Sequence, residues 1–367
     1  MAIRRIAGPL GAGTCRKKCV DCKKRRQGSC MIKSWIFELP SIDIDLKEPA
    51  TGPAYDWLLR EWDRAEALNF EGVFLSEHHL PNYLSQSPNI LLAAMAMRTS
   101  RLRMGVMALT APMYHPSRLA EEIAMLDHLS RGRLEIGLAR GANPVEVGLI
   151  GMPAEEMQPR LLEALDIVEG ALTANGPFNY DGHFYKCKNL VVPRTLQQPV
   201  PPRWWPTATP ESATMAARRG YKTCAAFLSA DRIAENFNVY RAAAAAAGRV
   251  VGPDDLGIRR IVIINEEGDK ARSHIKDAFR SFGPIEALPA WFSSDEVVAG
   301  TPDEVARNLI DQCERTGAGH VLIYGGWPLS RPVFEHTVEL YGRDVLPRLL
   351  NRSVPRRDTA ARERSVG

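Results

Sequence analysis

Three short runs in this chain hold side chains whose types and spacing could do chemistry together. Glu77-His78-His79 follows the apolar run Gly72-Val73-Phe74-Leu75. A neutral imidazole can take a proton from, or hydrogen-bond to, an oxygen species near pH 7. The bland reading of the same run is a pair of polar loop residues, one of them capping a turn. A metal site is weaker still, because adjacent ligands point different ways and no H-x3-H or carboxylate pattern completes it. Arg140 ends a second run, Gly132 to Leu138, whose alternation makes a strand. A guanidinium there can grip a phosphate in a fork or form an ordinary surface ion pair. The third run, Thr207 to Thr214, passes from a strand straight into a helix start. Backbone N–H groups at such a start attract anions, and Ser212 adds a hydroxyl. An ordinary capped helix is the alternative. No G-x-G-x-x-G run follows an early strand, which argues against a dinucleotide site.

These runs need elements that bring them to one place. Eight strand-like segments recur: Lys33–Glu38, Glu71–Ser76, Leu102–Ala108, Arg133–Leu138, Arg203–Ala208, Tyr221–Leu228, Gly257–Ile264 and Gly319–Tyr324. Helical patterns separate most of them. Tyr55, Leu58, Leu59, Trp62, Ala65 and Leu68 form one apolar stripe. Another helix begins at His115-Pro116-Ser117, with Gly132 past its end. Thr209-Pro210-Glu211 reads as an N-cap, a proline at N1 and an acid in the first turn, and Gly220 stops that helix. Alternating strand and helix, eight times over, predicts a closed (β/α)8 TIM barrel. His78 and Arg140 then lie on the same rim, at the C-terminal ends of strands. Two connections, Asn175–Pro202 and Glu266–Gly300, are long excursions after strands 4 and 7, suited to lids or partner contacts. Trp204-Trp205 and Trp291-Phe292 could line an apolar cavity, although aromatic residues are more often core.

The totals bound the function. The chain has 367 residues and a net charge of +4. Nine Lys/Arg against Asp21 put residues 1–30 at +8, and five Arg against two acids put 351–367 at +3. The body, 31–350, is therefore at −7. An acidic body argues against nucleic acid as a partner. No apolar run approaches the roughly 18 residues of a membrane span, and no signal-peptide core follows the first basic residues, so the expected location is the cytoplasm. Seven cysteines, unevenly spread, suggest free thiols. Cys15, Cys19, Cys22 and Cys30 crowd the basic head. Four thiolates there could hold zinc, and the first three share the spacing of the cluster motif in radical-SAM enzymes. The preferred reading of residues 1–30 is a disordered basic extension, or upstream sequence translated from an early start codon, because Met31 opens the first strand. Residues 31–350 form the barrel domain and 351–367 a basic tail.

The stretch from Gly72 to Met152, with its Glu77-His78-His79, Met107-Ala108 and Arg140, resembles the bacterial luciferase-like family of flavin-dependent monooxygenases. The resemblance extends over about Met31 to Leu350. It implies an enzyme that uses reduced FMN and O2 to oxidise a small organic substrate, an aldehyde or another, through a flavin peroxide. His78 occupies the catalytic position. Met107 and Ala108 stand where the family supports the flavin ring, often through a nonprolyl cis peptide. Arg140, Glu211 (through its backbone) and Ser212 stand at the flavin phosphate, with Thr214 beside a family hydroxyl position that is Met215 here. The family's reactive cysteine is Ala139. No metal is implied. A separate flavin reductase and a homo- or heterodimer are implied partners. A coenzyme F420-dependent oxidoreductase on the same barrel, or a non-catalytic flavin-binding subunit, are the alternatives.

Overall fold

The computed structural model describes residues 29–41, 51–80, 82–141, 143–280, 295–326 and 329–357. Eight parallel strands form the barrel: β2 (Lys33–Leu39), β3 (Gly72–Leu75), β4 (Arg103–Thr110), β5 (Leu134–Ala139), β8 (Arg203–Thr207), β9 (Lys222–Ala225), β10 (Leu256–Ile264) and β12 (His320–Gly326). Each pairs with the next, and β12 closes on β2. All eight expected strands are present. β10 is the long one. Its first residues pair with both β9 and β12, while Ile261–Ile264 pair with an added strand, β11 (Val297–Gly300). The excursion after strand 4 contains the hairpin of β6 (Phe178–Asp181) and β7 (Lys186–Leu190). Among the described residues, that after strand 7 contains β11 and a helix, Gly268–Ala278, while Trp291-Phe292 lie outside the described residues.

One further ribbon pairs β1 (Ser29–Met31) with β13 (Ser353–Pro355). It extends the folded body past the boundaries expected at 31 and 350. Short terminal segments gain backbone partners there that neither end could find alone. Cys30 therefore belongs to the body, while Cys15, Cys19 and Cys22 lie outside the described residues. Cys187, Cys224 and Cys313 are buried free thiols. Among the described residues no helix is long and apolar enough to cross a membrane.

The barrel's centre is solid. Trp35, Phe74, Met107, Trp204, Cys224 and Leu322 pack inside it, with Phe37 against them. Trp204 and Trp205 are both buried, the first inside the barrel and the second outside against Tyr221, so neither lines an open cavity. At the N-terminal floor, Trp35 Nε1 donates to His320 Nδ1 at 2.9 Å, and His320 Nε2 donates to the Asp254 carbonyl at 3.0 Å. Both ring nitrogens are thus used by the neutral imidazole, and burial pushes its pKa down. A filled centre and a tied floor leave the C-terminal rim for chemistry.

Helix α1 (Thr51–Ala67) lies over β2 and β3 with Ala54, Leu58, Trp62 and Ala65 buried, as the stripe requires. Beneath it, Glu38 of β2 is 3% exposed. Trp62 Nε1 donates to Glu38 Oε2 at 3.0 Å, and Oε1 has no partner among the described residues. Burial pushes this carboxyl from 4.5 up to about 8, against the Trp62 bond and with the help of nearby Glu61. A carboxyl raised on folding favours the folded state fully below its unfolded value and loses that advantage as pH climbs. The loss here falls between pH 4.5 and about 8. Glu38→Gln, neutral at every pH, should therefore be more stable than the unmutated protein by roughly 1–4 kcal/mol above pH 7 and nearly equal at pH 4.5. Urea unfolding across that range checks it; a gain that fails to grow with pH would refute the assignment.

Candidate active site

The rim is assembled from loops that follow β3, β4, β5 and β8. Phe74 of β3 faces the barrel centre, and the two-residue alternation carries through Ser76 to His78. His78 is one-third exposed, and its ring lies 4.8 Å from that of Tyr83. Its Nδ1 sits 2.9 Å from Glu146 Oε1. A carboxylate only accepts, so Nδ1 carries the hydrogen and Nε2 is left facing away from Glu146. Glu146 Oε1 also accepts from the His79 backbone N–H at 2.9 Å. One nearly buried oxygen fixes both the ring and the turn of the chain beneath it.

His79 turns the other way. Its Nε2 lies 2.9 Å from Glu77 Oε1, and Glu77 Oε2 accepts from the Thr110 backbone N–H at 2.9 Å. Glu77 is buried, so its charge depends on these partners. Tyr114 also lies against it; burial first, then the Glu77 charge, push that phenol up. The adjacent histidines therefore occupy separate networks.

Glu146 went unrecognised in the sequence. It belongs to the short helix α4 (Pro144–Leu149), which opens with an Asn143 cap and follows directly on the Arg140 loop. The only local signal was Asn143-Pro144, a helix start. The partnership spans 68 positions and needs the barrel to bring β3 and β5 onto one rim.

Arg140 leaves the end of β5 exposed, with no hydrogen bond or ion pair among the described residues. β5 pairs with β8 through Ile136↔Arg203 and Gly137↔Trp204, so Arg140 leaves the rim beside the strand that runs into helix α6 (Pro210–Arg219). That helix is capped as the sequence predicts. The Thr209 side chain accepts from Ser212 N at 3.3 Å, and Ser212 Oγ accepts from Thr209 N at 3.2 Å. Ser212 Oγ also donates to the Thr209 carbonyl at 2.9 Å, and Thr214 Oγ1 donates to the Pro210 carbonyl at 2.9 Å. Both hydroxyls are already used within the helix. The Glu211 carboxyl bends back onto its own backbone N–H, which holds its pKa down.

The Met107–Ala108 peptide is cis, as expected from the resemblance. It coincides with an irregularity in the β4–β5 register between Val106 and Leu109. Gly137 on β5 is needed beside it: a Cβ there would meet the Val106 carbonyl oxygen at 2.3 Å. Met107 is buried in the barrel centre and Ala108 is half-buried above it. A separate cleft of about 310 Å3, lined by Glu66, Glu71, Arg101 and Arg103, lies at the opposite end of the barrel, remote from all these groups.

His79 offers a direct check on this geometry. The hydrogen bond to Glu77 raises its pKa above the ordinary 6.5, against burial and with the help of the Glu77 and Glu146 charges. Glu77→Gln should shift the His79 titration downward, as read by histidine NMR. A titration of His79 indifferent to residue 77 would contradict the pairing.

Comparison with known proteins agrees with this architecture. Residues 36–311 match the luciferase-like monooxygenase family. Protein y4wF of Sinorhizobium fredii is 32% identical over 74% of this chain and 86% of its own length. The oxygenase component of flavin-dependent trigonelline monooxygenase from Acinetobacter baylyi is 27% identical, over 66% of this chain and 68% of its own. The crystal structure of monooxygenase RslO1 from Streptomyces bottropensis superposes with a TM-score of 0.77 at 27% identity, covering 86% of this chain and 99% of that one. More distant structures of the same fold include an FMN complex at 19% identity and an F420 adduct at 15%. The fold alone therefore does not choose between these two flavins. With a family match across most of the barrel and a relative above 30% identity, this chain belongs to the luciferase-like monooxygenase family.

Proposed function

We propose that the chain is the oxygenase of a two-component system, binding reduced FMN at the rim and oxidising a small organic substrate with O2. The observation that carries this reading is the loop after β5. It presents Arg140 without a partner among the described residues and, a few residues on, Glu146 holding His78. One loop thus joins a free cation suited to a phosphate with a fixed acid–base group. The monooxygenase relatives, one of them named as flavin-dependent, support the reaction class and the cofactor class.

Reduced flavin, when bound, would supply the electrons that activate O2. The chain's own residues bind, orient and move protons. Arg140 and the Glu211 backbone N–H face the phosphate position, with the Glu211 carboxylate swinging aside to free its N–H. Ser212 contributes by fixing the helix start, since its hydroxyl is used in the cap, and Thr214 stiffens the first turn in the same way. Met107 and Ala108 form the surface beneath the ring. His78, oriented by Glu146, holds or delivers a proton at Nε2. Half-buried Tyr83 and Tyr114 would help to shield the reacting centre from water once cofactor and substrate fill the rim. A separate reductase fits this arrangement, because no nicotinamide motif is present in the sequence. A homo- or heterodimer is the proposed assembly, and the cytoplasm the proposed location. Deazaflavin F420 on the same rim is the alternative.

Two measurements test the reading. FMN should bind more tightly than riboflavin, and Arg140→Ala should weaken FMN about tenfold or more while leaving riboflavin nearly unaffected. Fluorescence titration decides it; equal affinities in the unmutated protein, or saturable binding of F420 alone, would overturn the FMN assignment. His78→Ala should lower product per reduced flavin by roughly 10²–10⁴-fold, with hydrogen peroxide released instead and FMN affinity almost unchanged. If His79→Ala uncouples the reaction and His78→Ala does not, the catalytic histidine is the second one.

A further inference from the structure

Arg259 of β10 is a buried cation inside the mouth of the barrel, and nothing above uses it. Gly257, two positions earlier, faces Trp204 and Leu322 at the barrel centre, so Arg259 points the same way one layer higher. Its side chain is 8% exposed. The guanidinium carbon lies 4.1 Å from the Phe227 ring centroid, 5.0 Å from Tyr324 and 5.6 Å from Phe37. One Nη donates to Glu296 Oε1 at 2.6 Å. The Nε–H is buried and has no hydrogen-bond partner among the described residues.

Glu296 does not balance the charge around it. Its other oxygen accepts from Arg260 Nη1 at 3.2 Å and from the Phe227 backbone N–H at 2.7 Å. One fully buried carboxylate therefore serves two buried guanidiniums. Neighbouring Asp295 is directed elsewhere, accepting from Ala230 N at 2.7 Å and lying 4.0 Å from Arg315. Arg260 points out of the barrel toward Gln312, to which its Nε donates at 2.6 Å. The surplus positive charge that a ligand in the mouth can reach is the one on Arg259. A buried cation with an unused donor is costly unless an anion completes it.

The position relative to His78 suggests which anion. The His78 ring lies 4.8 Å from that of Tyr83, burial with a smaller contribution from Tyr83 pushes the Tyr324 phenol up, and Tyr324 flanks Arg259. These residues cross the mouth from the proposed acid–base group to the buried cation. Aromatic rings from Phe37, Phe227 and Tyr324 surround the cation, so the group that meets its unused donor does so among aromatic faces. We propose that Arg259 is a substrate-recognition residue and that the substrate class is a planar, aromatic organic anion, its carboxylate on Arg259 and its reacting end toward His78. This rests on the mouth being the substrate site of the proposed oxygenase.

The test uses the full chain and matched probes that differ only in charge: benzoate with benzamide, and 2-naphthoate with 2-naphthamide, titrated by calorimetry in low-chloride buffer. At least one carboxylate should bind tenfold or more tightly than its amide. Arg259→Gln should abolish that preference, and Arg259→Lys should retain part of it. FMN affinity, titrated alongside, should change less than twofold in both variants. Absence of binding by both carboxylates, amides that bind as well, or a preference that survives Arg259→Gln each overturns the proposal. So does a loss of FMN affinity in Arg259→Gln, which would give the guanidinium to the flavin instead. The carboxylate preference is read first in the unmutated protein, so a variant that fails to fold leaves the test standing. Retained preference without any FMN binding would sink the flavin reading while leaving the anion site intact.

Discussion

The split pairing of β10 is the constraint on which the rest of the mouth depends. Through Leu256–Ile258 this strand is bonded to β9, and through Gly257–Arg260 to β12, which closes the barrel. Beyond that point β9 has ended, and β10 takes β11 as its neighbour. The barrel is therefore sealed where its floor network lies and opens where β9 leaves. Phe227, in the loop that leaves β9, has a positive φ of 61° and turns its ring onto Arg259. Glu296, just before β11, fastens that turn through the Phe227 N–H. A guanidinium, a carboxylate and an unusual backbone conformation are thus consequences of one change of strand partner.

The other side of the mouth follows a similar logic with different means. Strands β3 and β5 are not neighbours; β4 lies between them. Glu146 bridges above β4 to reach His78 and the His79 backbone. Beneath that bridge, β4 carries the cis peptide and departs from regular register. The cis peptide and the acid that aims His78 thus lie over the same strand. A change in the β5 loop would move Arg140 and Glu146 together, so the placement of that guanidinium and the orientation of His78 are mechanically linked.

Much of this could be read from residue types. Strand alternation, the Thr209-Pro210 cap and Gly220, whose φ is 77°, are local signals, and each element formed where its pattern placed it. The positions of His78 and Arg140 on one rim follow from the barrel alone. What could not be read are pairings between distant positions. Glu146 looks like any surface acid until the fold sets it against His78. Arg259 and Glu296, 37 positions apart, look like unrelated charges in a strand and a loop. β11 escaped notice because Val297–Gly300 is too short to stand out. Ser212 shows the converse: its type and place suggested a ligand contact, but a local hydrogen bond reaches the hydroxyl first.

The two ends of the barrel also treat charge differently. At the floor, Asp254 gathers Lys33 at 2.7 Å and Lys222 at 3.4 Å and lies 3.3 Å from His320, within reach of water. Burial alone would raise that carboxyl, but His320 and the two lysines hold it well below the usual range. Glu71 lies 3.7 Å from Lys33 as well, so two carboxylates meet two lysines and those charges are matched inside the chain. At the mouth the account is left open: Arg140 has no partner among the described residues, and Arg259 shares a carboxylate with Arg260. Unmatched positive charge inside a low-dielectric cavity raises the local concentration of anions and orients them before contact. The acidic body keeps that attraction from extending to polyanions at large. The fold thus concentrates these cations at the mouth, where the proposed phosphate and the proposed organic anion would be held one on each side of His78.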